Sequence, residues 1–195
     1  MEATLNSKRL VVGTAAAAGV GLFALMASSV SAPAAASSSS AGAGASTSGR
    51  SVEFTAYSDN DGPTATVVVT GAVGDYGQAI SVNPDGSVNP EHNSQLELAL
   101  GQGSLRLDIA ALDRKLVKAF ATFPTDRTTC SGTVRASGRT PVVPGSGTGL
   151  YQGVSGSFSM TITVAEVDAT ADCGTSSAFL KQNLVMSGSG RVTLP

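Results

Sequence analysis

An alternation of apolar and polar residues with period two constrains this chain more than any other feature. Between 158 and 164, Phe158, Met160, Ile162 and Val164 alternate with Ser159, Thr161 and Thr163. Leu105, Leu107 and Ile109 alternate with Arg106 and Asp108, and Leu96, Leu98 and Leu100 alternate with Glu97 and Ala99. Successive side chains of an extended chain point to opposite faces, so each run reads as a strand with one buried face. Ala65, Val67 and Val69 sit in a Thr-rich and Val-rich run of the same kind. The stretches 52–57, 79–82, 133–136, 184–186 and 191–194 are further strand candidates, and 179–184 is ambiguous.

Turn chemistry separates these runs. Asp59-Asn60-Asp61-Gly62-Pro63, Asn83-Pro84-Asp85-Gly86 and Gly101-Gln102-Gly103 all carry hairpin residues. One segment departs from period two. In residues 111–120, Leu112, Leu116, Val117 and Phe120 recur at helical spacing, and Pro124 stops the pattern. The expected fold is therefore all-β: an antiparallel barrel of about eight strands, or a sandwich, with one short helix on the sheet. Closure would hide the sheet edges, which otherwise template aggregation.

The N-terminus does not belong to that fold. Lys8 and Arg9 precede an uncharged apolar stretch from Leu10 to Ala32, which small residues follow directly. A basic start, an apolar middle and A-x-A spacing are the parts of a secretory signal peptide. Ala32-Pro33-Ala34 and Ala34-Ala35-Ala36 both fit a peptidase that accepts small side chains. The stretch is long enough to span a bilayer as an uncleaved anchor. Its Ala and Gly content and the small residues after it favour cleavage. No cysteine lies near the cut for lipidation, and Lys8-Arg9 is a poor twin-arginine pair. The expected organisation is a signal peptide over 1–36, a flexible Ala/Ser/Gly linker over 37–50, and one barrel domain over 51–195. The mature protein is expected to be secreted or associated with the cell envelope, with no stable membrane insertion after cleavage.

Export bears on the cysteines. Cys130 and Cys173 are the only two in the chain, and an even count in an exported protein reads as a disulfide. Neither has a C-x-x-C neighbour or an adjacent His that would mark a reactive thiol. The bridge would close a loop of about 44 residues, for which chain entropy gives about 4 kcal/mol of stabilisation.

Charge excludes some partners. Loss of the leader, with Glu2, Lys8 and Arg9, takes the net charge from −2 to −3. No run of the sequence concentrates Lys or Arg, so a nucleic acid is excluded as a partner and anionic membranes are disfavoured.

The most distinctive local stretch is GSGTGLYQGVSGSF, from Gly145 to Phe158. Its glycines read as a tight turn between two strands, with Tyr151 packing inward or capping a barrel mouth. Gly153 and Gly156 read as a bulge where the next strand curves. The spacing of Gly147, Thr148, Gly149, Tyr151, Gly153 and Gly156 resembles the barrel of allene oxide cyclases and plant dirigent proteins. Exported actinobacterial proteins of unknown role look similar. The resemblance covers about residues 133–164. It implies a barrel, and an interior that in those families holds a hydrophobic ligand or steers a reactive intermediate. None of their ligand-contacting or catalytic residues maps onto this chain.

Specific chemistry is hard to place. Gly147 and Gly149 lack the third glycine of a dinucleotide fingerprint and lead into a strand, not a helix. Asp59-Asn60-Asp61-Gly62 lacks the distal Glu of a calcium loop and reads as a β-turn. His92 is the single histidine, in a loop without a G-x-S-x-G elbow elsewhere, so it supports neither a triad nor a zinc site. Glu53, Glu97 and Asp108 lie on strands but on the face opposite the apolar one. No catalytic residue, cofactor or metal is predicted. Three readings remain: a secreted barrel that binds a small apolar ligand, a secreted or envelope-associated interaction protein with a filled core, and a cyclase-like or dirigent-like enzyme.

Overall fold

The computed structural model describes residues 49–59, 62–89, 94–173 and 179–194. The signal peptide over 1–36, the linker residues 37–48, Asn60, Asp61 and His92 lie outside these. The elements are β1 (Arg50–Ser58), β2 (Thr64–Gly71), β3 (Asp75–Val82), β4 (Gln95–Leu100), β5 (Gly103–Asp108), α1 (Ala110–Phe120), β6 (Ser131–Pro141), β7 (Ser155–Asp168) and β8 (Phe179–Thr193). Single 3₁₀ turns lie at Gly149–Tyr151 and Thr170–Asp172.

All eight strands form one antiparallel sheet in the order β5-β4-β3-β2-β1-β8-β7-β6. Hairpins supply every neighbour pair except β1–β8, which brings the last strand back to the first. The sheet curls its apolar face inward. Val52, Phe54 and Ala56 of β1, Val67 and Val69 of β2, and Phe158, Met160, Ile162 and Val164 of β7 are all buried. The Phe54 and Phe158 rings meet edge-on, 5.4 Å apart at 70°, an arrangement the ring quadrupoles favour.

The expected closed barrel is realised as a curled half-barrel. β5 and β6 are the two edge strands and form no ladder with each other. They are linked by one bridge, Leu107 to Val142, and by the chain that follows β6. Val143 N–H donates to the Arg106 carbonyl (2.8 Å) and Thr148 N–H to the Ser104 carbonyl (2.9 Å). Further along β6, α1 packs against the strand: Lys115 Nζ donates to the Ser137 carbonyl at 2.9 Å. Leu112 is 1% exposed, and a Cβ on Gly138 would sit 3.6 Å from its methyl. Leu116 and Phe120 join the core, whereas Val117 faces solvent.

Two local expectations change. The stretches 184–186 and 191–193 belong to one fifteen-residue strand, β8, which also takes in 179–183 and ends before Leu194. The intervening Ser187-Gly188-Ser189-Gly190 looks like a turn in sequence. In the structure Gly188 pairs with Phe54 and Gly190 with Phe158, and a Cβ on Gly188 would run into the Phe54 ring. These glycines make room for aromatics. Gly156 forms no bulge either: it pairs in register with Val192, and the irregularity of the β7–β8 ladder lies at Val167/Asp168.

A disulfide joins Cys130 and Cys173, with Cα atoms 5.4 Å apart. Cys130 is completely buried just before β6, and its carbonyl accepts the Asp168 N–H at the end of β7 (2.9 Å). The bridge therefore ties together the ends of two strands that already pair.

Candidate functional site

The best-organised polar group lies at the end of the half-barrel opposite the disulfide. Asp75 opens β3, and Tyr151 closes the 3₁₀ turn in the connection between β6 and β7. The Tyr151 hydroxyl donates to Asp75 Oδ2 at 2.8 Å. The Gln102 N–H reaches the same oxygen at 3.1 Å. Asp75 Oδ1 accepts the N–H of Tyr76 (2.8 Å) and of Gly101 (3.1 Å). Asp75 is 8% exposed and Tyr151 4%. Burial alone would push the Asp75 carboxyl up. The Tyr151 hydroxyl and the three backbone N–H groups outweigh burial and hold it below its ordinary value. Burial, and then the adjacent carboxylate, push the Tyr151 phenol well above its ordinary value. The phenol is thus a fixed donor and the carboxylate a fixed anion.

The glycine-rich stretch positions this pair. Thr148 brackets Ser104 of β5: its N–H donates to the Ser104 carbonyl, and its Oγ1 accepts the Ser104 N–H at 2.9 Å. Ser146 Oγ accepts the Arg106 N–H at 3.0 Å. Gly149 has φ +55°, and a Cβ there would strike the Gln102 carbonyl, so this position takes only glycine without displacement. A Cβ on Gly147 would strike the Tyr151 carbonyl. Gly153 faces open space, and Gly156 accepts the Val142 N–H on the way into β7. In place of the expected tight turn between strands, the connection from 142 to 154 laces the edge of β5 and inserts Tyr151 beneath it.

The space under Tyr151 is small. Val52, Phe54, Leu98 and Phe158 are among the apolar side chains around a void of about 20 Å³. That volume is about one water, and an apolar lining offers a water no partner. The pair is a buried clamp, and the void on the Tyr151 side is of that size.

Glu53, Glu97, Asp108 and Asp59 each stand apart from one another in the described structure. Glu97 pairs across the strands with Arg106 at 3.1 Å, and Asp108 Oδ1 accepts the Ala110 N–H at the start of α1 (3.0 Å). Glu53 is exposed on β1. Asp59 pairs with Lys181 at 3.5 Å. Among the described residues no group of three or more His, Cys, Asp or Glu side chains could hold a metal ion.

Sequence reasoning found Tyr151 and its glycines but missed Asp75. A buried tyrosine needs a partner for its hydroxyl, which asked for an acceptor without pointing to Asp75, 76 residues away. No family model, curated protein or solved structure matches this chain.

Proposed function

We propose that this is an exported interaction protein whose core is filled by its own side chains and which works through its outer surface. One observation carries the reading: the interior void of about 20 Å³. Sites for small organic molecules run to about 300 Å³ or more. The same observation weighs against a barrel that encloses an apolar ligand and against an enzyme that steers an intermediate by cavity shape. On this reading the resemblance of the Gly147–Gly156 spacing to allene oxide cyclases and dirigent proteins concerns the backbone around Tyr151 and not a use of the interior. Export is supported by the basic and apolar leader and is compatible with the Cys130–Cys173 bridge.

Native mass spectrometry of the protein purified from culture medium tests this. The expected spectrum shows the cleaved polypeptide alone. A stoichiometric apolar adduct would overturn the reading.

A further inference from the structure

The pleat of the three longest strands sorts charge between the two faces of the sheet. On β6, β7 and β8 the outward positions are the odd-numbered residues from 131 to 141, 155 to 167 and 181 to 193. None of them is Asp or Glu, and Arg135, Arg139, Lys181 and Arg191 are cations. Most of the rest are Ser or Thr. The two carboxylates of β7, Glu166 and Asp168, fall on the other parity and are buried, 7% and 2% exposed. Lys181 is paired with Asp59, whereas Arg135, Arg139 and Arg191 form no ion pair among the described residues. The sequence conceals this grouping, because the cations come from two strands more than forty residues apart.

The register sets the spacing. Arg135 and Arg139 lie four residues apart on β6, about 13 Å along the strand. Ser137 stands between them, its hydroxyl 2.9 Å from that of Thr161. Arg139 Nε donates to Ser157 Oγ at 2.9 Å. Ser157 in turn pairs with Arg191 on β8, which puts Arg191 two strands from Arg139 and two residues further along, about 12 Å away. The row through Arg135 continues over Thr163 and Val185 to Tyr57, and the row through Arg139 over Ser159 and Ser189 to Glu53, the one carboxylate of β1 on this face. Tyr57 is 49% exposed and Val185 40%. At the disulfide end the same face dips into a groove of about 290 Å³ between Thr133, Ala165, Glu166 and Lys181.

From this we infer that the outer face of β6–β7–β8, extended to Tyr57, binds an extended acidic polysaccharide. The complementarity has three parts. Separate guanidinium groups suit carboxylates that recur at intervals along a polymer. Hydroxyl rows between them suit the neutral hydroxyls of the intervening sugars. An exposed tyrosine ring offers a flat apolar surface to a sugar face. Polyphosphate and nucleic acid carry a denser line of charge than three dispersed cations match. An anionic membrane would favour clustered Lys and Arg. The inference rests on the reading that the molecule works through its surface.

The test is affinity electrophoresis of the mature protein in native gels, with hyaluronan as probe because it carries one carboxylate in every second sugar. Parallel gels contain dextran or inorganic polyphosphate, and flotation with phosphatidylglycerol vesicles covers the membrane case. Hyaluronan is expected to retard the protein, and the retardation to fade as salt rises. Arg135→Ser with Arg139→Ser should weaken it about tenfold or more, the loss of about one charge-assisted contact. Arg135→Lys with Arg139→Lys should keep most of it, and Tyr57→Ala should weaken it at constant charge. These positions point outward, and thermal midpoints check that each variant is folded. Equal retardation by dextran, an unchanged double-serine variant, or binding only to polyphosphate or vesicles would overturn the inference. Absence of hyaluronan binding by protein free of any adduct sinks this inference alone; an apolar adduct in the mass spectrum sinks the surface reading beneath it.

Discussion

Asp75 accepts four hydrogen bonds, from the Tyr151 hydroxyl and from the N–H groups of Tyr76, Gly101 and Gln102. These donors come from two hairpin ends and from the connection after β6, so one side chain gathers three separate stretches of chain. Tyr151→Phe keeps the ring in place and removes one donor to a charged acceptor. It should cost about 1.5 kcal/mol in chemical denaturation. The sign of the pH effect follows from the direction of the shift. The folded Asp75 carboxyl lies below its unfolded value. Its contribution is therefore fully present above the unfolded value of about 4 and is lost as pH falls through the lower folded value. Denaturant midpoints of Asp75→Asn and the parent should differ most near neutrality and approach each other in acid. A gap that stays constant from neutral to acid pH would show that the carboxylate charge contributes nothing.

At the scale of elements, legibility followed local pattern. β4, β5 and β7 show strict alternation and were readable from it, as was α1 from Leu112, Leu116 and Phe120. β8 was not. Its inward positions run Met186, Gly188, Gly190, Val192, and the two glycines broke the apolar signal. Their reason lies on other strands, in the Phe54 and Phe158 rings that occupy the space. A packing relation between residues more than thirty positions apart leaves no trace in a short window. Asp75 was missed in the same way, since the Tyr151 hydroxyl that explains it is 76 residues distant. The outward cations were individually visible, but only the register brings Arg139 and Arg191 onto one face in neighbouring rows. Gly188→Ala tests the packing account. The added methyl points into the Phe54 ring, and overpacking of this kind costs about 1–3 kcal/mol. Ser187→Ala and Ser189→Ala, whose side chains face outward on the same strand, should be nearly neutral in thermal melts. Equal effects at all three sites would mean that β8 is sensitive to strand propensity and not to the aromatic pair.

At the largest scale, the described residues between 49 and 194 form an open sheet made to behave as a closed one. Two devices hold its two edges, the Leu107–Val142 bridge with the lacing from 143 to 148 and the helix α1 along β6; both act between β5 and β6. The disulfide acts between β6 and β7, which already share a continuous ladder. Its effect on the native sheet is therefore small, and its stabilisation comes chiefly from restricting the unfolded chain over the 43-residue separation. Two results should follow together. Denatured but unreduced protein should take up no thiol label. After reduction, or in Cys130→Ala with Cys173→Ala, the protein should lose up to about 4 kcal/mol while the Asp75 clamp at the opposite end keeps its acid dependence. A reduced protein whose acid transition also vanished would show that the bridge organises the sheet itself.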